Sequence, residues 1–395
     1  MVSLADYADR EQAYVKHILL ETYLERLVHK VASRYNEVAY VDGFAGPWQS
    51  ANERFEDTSF GIALNALRSA KATWKRNGRD VRMSAFLVEQ NRSAHSRLAQ
   101  VPAKFPDLMV KTYCADFLDV VPTILGEIPS NAFAFFLIDP KGWRVPLKTL
   151  APLLARANSE VIFNFMFDFI NRAASISEPK VVAGLDELIP LGDWRATLAD
   201  GEHRGGLSPE HRKEILVNAF RDNLSHIGSY RYVAETVVLR PDKDRTLYCL
   251  FYGTRNAKGI ETFRACQIPA LEEQSRTRAA VKIKRAEAIS GQGEIFQSLH
   301  EMAPDRQLVD LRLERDAAAR TILERTPAQP NAIRYDQLWP EVLALHTVSK
   351  VDVNKIVASL RRENQLLIPD WEKRRQVPQD GYRLQRPELP RASTA

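Results

Sequence analysis

Between Tyr14 and Tyr35 apolar residues recur at Val15, Ile18, Leu19, Tyr23, Leu24, Leu27 and Val31, the three-to-four spacing of one amphipathic helix. The period then changes. Glu37–Val41 is short, rich in β-formers and followed by Asp42, Gly43, Phe44, Ala45, Gly46 and Pro47, and a helical pattern runs from Ser59 to Trp74. This predicts a strand, a loop and a helix. A second strand is expected over Ser84–Glu89, a helix near Ser93 to Gln100, and a third strand over Met109–Tyr113 leading into Asp116 and Phe117. Ala132–Ile138 is apolar on both faces, as a central strand of a parallel sheet is, and stops at Asp139 and Pro140. A helix around Leu147 to Ala157 and a strand over Glu160–Phe167 complete five β-α repeats, which predict a doubly wound parallel sheet. Phe165, Phe167 and Phe169 alternate as sheet core, with Asn164 and Asp168 facing the other way, where they could line the cleft.

Residues 172–210 read as a loop-rich insertion holding Gly201, Gly205 and Gly206. A helix from Pro209 to Leu224 then leads to two β-rich runs, Tyr230–Arg240 and Arg245–Gly253, joined by a hairpin signal. Five parallel strands closed by a hairpin, seven in all, set this chain apart from NAD-type Rossmann domains. They match methyltransferases that use S-adenosylmethionine. The expected fold class is therefore α/β, a Rossmann-like seven-stranded methyltransferase-type sheet over residues 1–270. A charged helical connector is expected over 271–330, where Arg276, Arg278, Lys282, Lys284 and Arg285 crowd together. In 331–395, helices over Tyr335–His346 and Asp352–Asn364 precede short strands at Leu366–Ile368 and Tyr382–Leu384. That order describes a C-terminal winged helix-turn-helix.

Composition narrows the picture without redirecting it. At 395 residues, 45% hydrophobic and 27% charged, the chain has the profile of a globular protein of two or three domains, not of a disordered or collagen-like one. Its net charge is +5, compatible with a polyanionic partner. Cys114, Cys249 and Cys266 form no CxxC pair, so neither a disulfide framework nor a zinc site is expected and a reducing cytoplasm is the natural setting. The start lacks the basic and then apolar run of a signal peptide, and no stretch is long enough to span a membrane.

Three carboxylates end three successive predicted strands. Asp42 leads the loop in which Gly43 and Gly46, with Phe44 and Ala45 between them, let backbone approach a ligand. Glu89 is placed to accept both hydroxyls of a ribose. Asp116 is placed to accept from an adenine amino group while Phe117 packs on the base, or else to cap a helix. Together they suit a positively charged sulfonium cofactor, S-adenosylmethionine, and would repel a phosphate-bearing dinucleotide. Asp139-Pro140 ends the fourth strand, where a carboxylate and a backbone carbonyl can hold an acceptor amine with its lone pair aimed at a methyl group. Trp143 would then stack on the base. The ordinary alternatives are a strand-ending turn and a packing ring. His203, His211 and Lys141 share no spacing and are given no role.

In their order, Lys16–Leu24, Tyr40–Pro47, Phe136–Pro140, Gly142, Asn164–Met166 and Lys258-Gly259 resemble the three-Cys-motif partner protein family, TcmP. The resemblance spans roughly residues 10 to 270. It implies a methyltransferase-like domain and a partner, a radical-S-adenosylmethionine-like protein that carries the three cysteines. Where many members have an aromatic after Asp-Pro this chain has Lys141, and where many have Gly it has Trp48.

The sequence thus suggests a methyltransferase acting on nucleic acid, or a non-catalytic adaptor of that partner. In the first case Lys355, Arg361 and Arg362 on the second C-terminal helix would enter a groove, and Lys373, Arg374 and Arg375 would contact phosphates.

Overall fold

The computed structural model describes residues 4–7, 10–46, 55–290 and 310–388; Pro47 and Trp48 lie outside them. Strand β1 (Glu37–Asp42) is buried from Val38 onward. It pairs in parallel with β2 (Arg82–Val88) on one side and β4 (Phe133–Ile138) on the other. β3 (Met109–Tyr113) continues the sheet beyond β2, and β5 (Ser159–Phe165) beyond β4, both in parallel. β7 (Thr246–Thr254) then runs antiparallel to β5, and β6 (Tyr232–Leu239) antiparallel to β7. The order is β3-β2-β1-β4-β5-β7-β6, so the expected five parallel strands closed by a hairpin are present. This is a Rossmann-like sheet of the methyltransferase type.

Strand alternation sends Val38 and Tyr40 to one face and Ala39 and Val41 to the other. The first face is covered by α1 (Glu11–Ala32), α2 (Ser59–Arg76) and α11 (Ala257–Ser290), which contribute Leu24, Phe60 and Phe263 to one core. The second is covered by α5 (Phe117–Glu127) and α10 (Pro209–Gly228), which contribute Ile124 and Phe220 to the other. Between β2 and β3 lie two short helices, α3 (Arg92–Leu98) and α4 (Val101–Lys104).

Several expectations need correction. The stretch 172–210 is not a loop: α7 (Phe167–Ala173) precedes α8 (Pro179–Leu188) and α9 (Trp194–His203). Leu185, Leu188, Trp194 and Leu198 are buried there, and their apolar side chains outweigh the turn signals of the glycines. Gly205 and Gly206, at φ 125° and 92°, make only the turn between α9 and α10. The helix expected over Leu147–Ala157 contracts to α6 (Ala151–Leu154). β5 ends at Phe165, so Phe169 leaves the sheet and stands 44% exposed. A boundary at 270 falls inside α11, a helix whose Ile260, Phe263, Cys266 and Ala270 belong to the main core.

Towards the C-terminus come α12 (Leu311–Arg325), β8 (Ile333–Arg334), α13 (Tyr335–Leu345), α14 (Lys350–Arg362) and β9 (Arg383–Leu384), with β8 and β9 antiparallel. Ser349 and Asp352 form a capping box that starts α14. The strand expected over Leu366–Ile368 is a single bridge from Leu367 to Gln385.

Two buried polar groups fasten α11. At the amino end of β5, Glu160 accepts from the Tyr23 hydroxyl of α1 and from Thr254 Oγ1 at 2.8 Å. Burial raises its carboxyl above the usual range, against the pull of these bonds. Gly259 of α11 lies over this knot, where a Cβ would come within 2.5 Å of Glu160 Oε1, so the motif glycine answers to packing. Further along, Arg264 is 1% exposed and donates to the Leu343 and Ala344 carbonyls at 2.6 and 3.1 Å. These are terminal carbonyls of α13, which have no partner inside their own helix.

Arg264→Met would orphan both carbonyls, at roughly 1–3 kcal/mol each. Chemical unfolding of this variant should show a loss of about 2–6 kcal/mol, with the C-terminal helices becoming the first site of proteolysis. Unchanged stability would remove Arg264 as the pin.

Candidate active site

The strand order reverses between β1 and β4, and a crevice at such a switch point, outside the carboxyl ends of the strands, is where open α/β sheets bind ligands. Two carboxylates flank it. Asp42, the last residue of β1, is fully buried. Its Oδ1 accepts from Phe44 N at 3.0 Å, and its Oδ2 from the hydroxyls of Tyr40 at 3.0 Å and Ser59 at 2.7 Å. Burial pushes its carboxyl up to about 6; the three hydrogen bonds oppose the rise and the Asp139 charge adds to it. Burial and then the Asp42 charge hold the Tyr40 hydroxyl well above its ordinary value, so it remains a donor.

The loop after β1 is stitched to both neighbouring strands: Gly43 N donates to Leu137 O at 3.1 Å and Ala45 N to Val88 O at 2.8 Å. A Cβ on Gly43 would lie 2.7 Å from the Phe117 ring, so this glycine is required by a close approach. Phe117 is buried, and Phe44 lies 5.8 Å from it, centroid to centroid. Gly46 donates to Phe44 O at 2.9 Å, which tightens the turn.

Asp139, just past β4, is bonded by two donors, both pieces of the motif string for which no partner was legible in the sequence. Lys16 Nζ of α1 forms an ion pair with Oδ2, the two side chains being 15% and 18% exposed. Asn164 Nδ2, from β5, donates to Oδ1 at 2.5 Å. Asn164 Oδ1 is buried without a hydrogen-bond partner among the described residues, an acceptor beside the crevice that awaits a donor. Next to Lys16, His17 shares a 2.8 Å hydrogen bond with the Tyr7 hydroxyl. Burial and the Lys16 and Arg10 charges hold His17 well below the usual imidazole value, so it ties down the chain start as a neutral ring.

The remaining expected residues divide. Glu89 is buried at the end of β2 and takes Asn91 N at 2.6 Å, engaging one of its two oxygens. Asp116 is exposed and caps α5 through Leu118 N at 2.9 Å; the cap is the role its present contacts describe. Pro140 is buried. Trp143 lies over Gly184 of α8, where a Cβ would meet its ring at 2.4 Å, with Arg144 stacked at 5.7 Å. Its ring thus packs against α8 while the residue stays half-buried. Pairs such as Lys16 with Asp139 were beyond sequence reasoning, because 123 residues separate them. The available signal was the polar Asn164 in an otherwise apolar strand.

Lys355 and Arg362 are exposed on α14, Arg361 stacks over Trp371 at 4.6 Å, and Lys373, Arg374 and Arg375 are exposed in the loop before β9, Arg375 pairing with Glu372 at 3.3 Å. Among the described residues no cluster of metal-ligating side chains occurs, and no helix is long and apolar enough to cross a membrane.

No protein-family model matches the chain, and no curated relative does. Among solved structures it is similar to a DUF519 protein from Legionella pneumophila, with 10% identity and a TM-score of 0.36 over 60% of this chain and 84% of that one. It is also similar to the O-methyltransferase TomG from Streptomyces achromogenes, with 15% identity and a TM-score of 0.30 over 59% and 79% of the two chains. It is similar, too, to a "putative methyltransferase" from Thermobifida fusca, with 11% identity and a TM-score of 0.29 over 60% of this chain and 80% of that one. The fold assignment rests on strand order.

The position of Asp42 has a pH signature. Its folded value of about 6 lies above the ordinary aspartate value, so its contribution to stability is fully present below pH 4 and is lost as pH rises through 6. Relative to Asp42→Asn, the unfolding free energy of the wild type should fall by up to about 3 kcal/mol across that window. Parallel curves in urea at pH 4 and pH 7 would contradict the burial.

Proposed function

We propose that this chain binds S-adenosylmethionine at the β1–β4 switch point and methylates an amine of nucleic acid. The observation that carries the reading is the pairing of buried Asp42 with Asp139 across the gap where strand order reverses. A concentrated negative field there favours a cation.

The residues fit the cofactor. Asp42 and the Gly43–Gly46 turn form the floor, Glu89 offers its second oxygen to a ribose, and Asp116 with Phe117 borders the adenine end. Lys16 supplies a cation for a carboxylate. When bound, the sulfonium supplies an electrophilic methyl group. An acceptor amine needs two oxygens to take its hydrogens and keep its lone pair aimed at that methyl. Asn164 Oδ1, the unpaired buried acceptor, provides one. Asp139 provides the other when Lys16 turns to an incoming carboxylate.

Nucleic acid enters the proposal through the C-terminal unit. The sequence α12, β8, α13, α14, the Leu367 bridge and β9 follows the winged-helix order. In that arrangement α14 presents Lys355, Arg361 and Arg362 to a groove while Lys373, Arg374 and Arg375 reach phosphates. The string Tyr40–Pro47 and its companion pieces support membership of the three-Cys-motif partner family. A second reading follows from one observation: both Asp139 oxygens are held by the chain's own donors. A non-catalytic adaptor of a radical-S-adenosylmethionine-like protein would keep them so.

Calorimetric titration with S-adenosylmethionine should give saturable one-site binding, lost in Asp42→Ala; silence in the wild type would overturn the cofactor reading. Affinity should fall as pH drops below about 6, because a cation binds best beside an ionised Asp42. Asp139→Ala should abolish methyl transfer while retaining the cofactor, whereas an adaptor has no transfer to lose. Charge reversal at Lys373, Arg374 and Arg375 should weaken duplex DNA binding and flatten its salt dependence, by about 0.9 in slope for each phosphate contact removed. An unchanged slope would take the wing out of the interface.

A further inference from the structure

In the first turn of α7, just past β5 and on the same edge of the sheet as Asp42 and Asp139, Asp168 is 1% exposed and gathers three guanidiniums. Arg245 reaches Oδ1 at 2.6 Å, and Arg240 and Arg172 reach Oδ2 at 2.7 and 3.4 Å. Burial alone would raise this carboxyl, but the Arg240 hydrogen bond and the Arg245, Arg172 and Arg240 charges hold it below its usual range. It is therefore ionised, and one negative charge faces three positive ones. The arginine side chains keep 57% (Arg172), 37% (Arg240) and 54% (Arg245) of their surface exposed. Arg240 and Arg245 bracket the β6–β7 turn, whose acids are already engaged: Asp242 by Arg285 at 2.8 Å, and Asp244 by Arg278 and by Lys282 at 3.2 Å, all from α11. Beside them stands Phe169, 44% exposed, with the Arg172 guanidinium 5.0 Å from its ring centre.

A buried carboxylate that fixes a fan of half-exposed arginines holds those charges without the entropy cost that free side chains incur on binding. An exposed aromatic ring at the edge of such a fan is the combination that single-stranded nucleic acid selects, phosphates on the cations and an unpaired base on the ring. An acidic peptide would use the cations and leave the ring idle.

We propose that Arg172, Arg240, Arg245 and Phe169 form a single-strand track on the β5–β7–β6 half of the sheet edge, with Asp168 as its positioning residue. This rests on the nucleic-acid reading above and is independent of the cofactor.

The test is fluorescence anisotropy of the full chain with a labelled 20-nucleotide deoxyoligonucleotide and the ribo-oligonucleotide of the same sequence, between 50 and 200 mM salt. Arg172→Gln with Arg245→Gln leaves Arg240 on Asp168, so the fold keeps its anchor. This pair should lower the slope of log affinity against log salt by about 1.4, two phosphates at roughly 0.7 each. Phe169→Ala should cut affinity about 5- to 100-fold with the slope unchanged. Arg172→Lys with Arg245→Lys should keep the wild-type slope. An oligonucleotide that binds with wild-type slope in the glutamine pair would overturn the track and leave the winged-helix interface standing. Absence of binding by every form would overturn both. Polyglutamate bound as tightly as the oligonucleotides, with Phe169 irrelevant, would reassign the fan to acidic protein.

Discussion

A carboxylate buried at the end of a central strand must be met by donors or protonated, and Asp42 meets that constraint from three directions. Tyr40 reaches it from its own strand, Phe44 N from the turn that follows and Ser59 from the start of α2. These bonds fix the exit of β1, and the exit of β1 fixes the turn. Gly43 and Ala45 then donate to β4 and β2, so the loop is closed onto its neighbours before any ligand arrives. The opening at the switch point is preorganised by backbone rather than by mobile side chains.

The same helix that covers this face supplies the second layer of the site. α1 carries Lys16 to Asp139 at the carboxyl edge and Tyr23 to Glu160 at the amino end of β5. It therefore spans the sheet with one polar contact at each edge. α11 closes over the lower contact through Gly259 and reaches α13 through Arg264. Displacing α1 would disturb Asp139 and the C-terminal unit together, by way of a core shared with α11.

Much of this was legible in the sequence, and the failures have physical causes. Short β-rich apolar runs located β1 to β5 and, with a turn signal between them, the hairpin, because strands buried on both faces read as near-continuous apolar stretches. Asp42, Glu89 and Asp139 were found at strand ends for the same reason. Residues 179–203 were missed because glycines and prolines that mark turns also sit within helices: Pro179 opens α8, and Gly184 makes room for Trp143. Phe169 fitted an alternation that continued past the end of the strand it belonged to. The motif pieces Lys16, Tyr23, Asn164 and Gly259 had order in the sequence without visible purpose, since their partners are distant along the chain. In space Lys16 and Asn164 meet on Asp139, and Tyr23 and Gly259 meet on Glu160.

The carboxyl edge of the sheet is electrically divided. On the β2–β1–β4 half the strands end in Glu89, Asp42 and Asp139, tempered by Lys16 at Asp139. On the β5–β7–β6 half Asp168 is outnumbered by Arg172, Arg240 and Arg245. A cation and a polyanion approaching the same edge would be sorted to opposite halves without any moving part, each repelled from the other's place. The boundary between the halves is Asn164, which donates from its amide nitrogen to Asp139 and whose oxygen has no hydrogen-bond partner among the described residues. A nucleophile brought in on the basic side and an electrophile held on the acidic side would meet at that residue. In the function proposed above, this division of charge would bring a cationic donor and a polyanionic acceptor together and disfavour two anionic reactants.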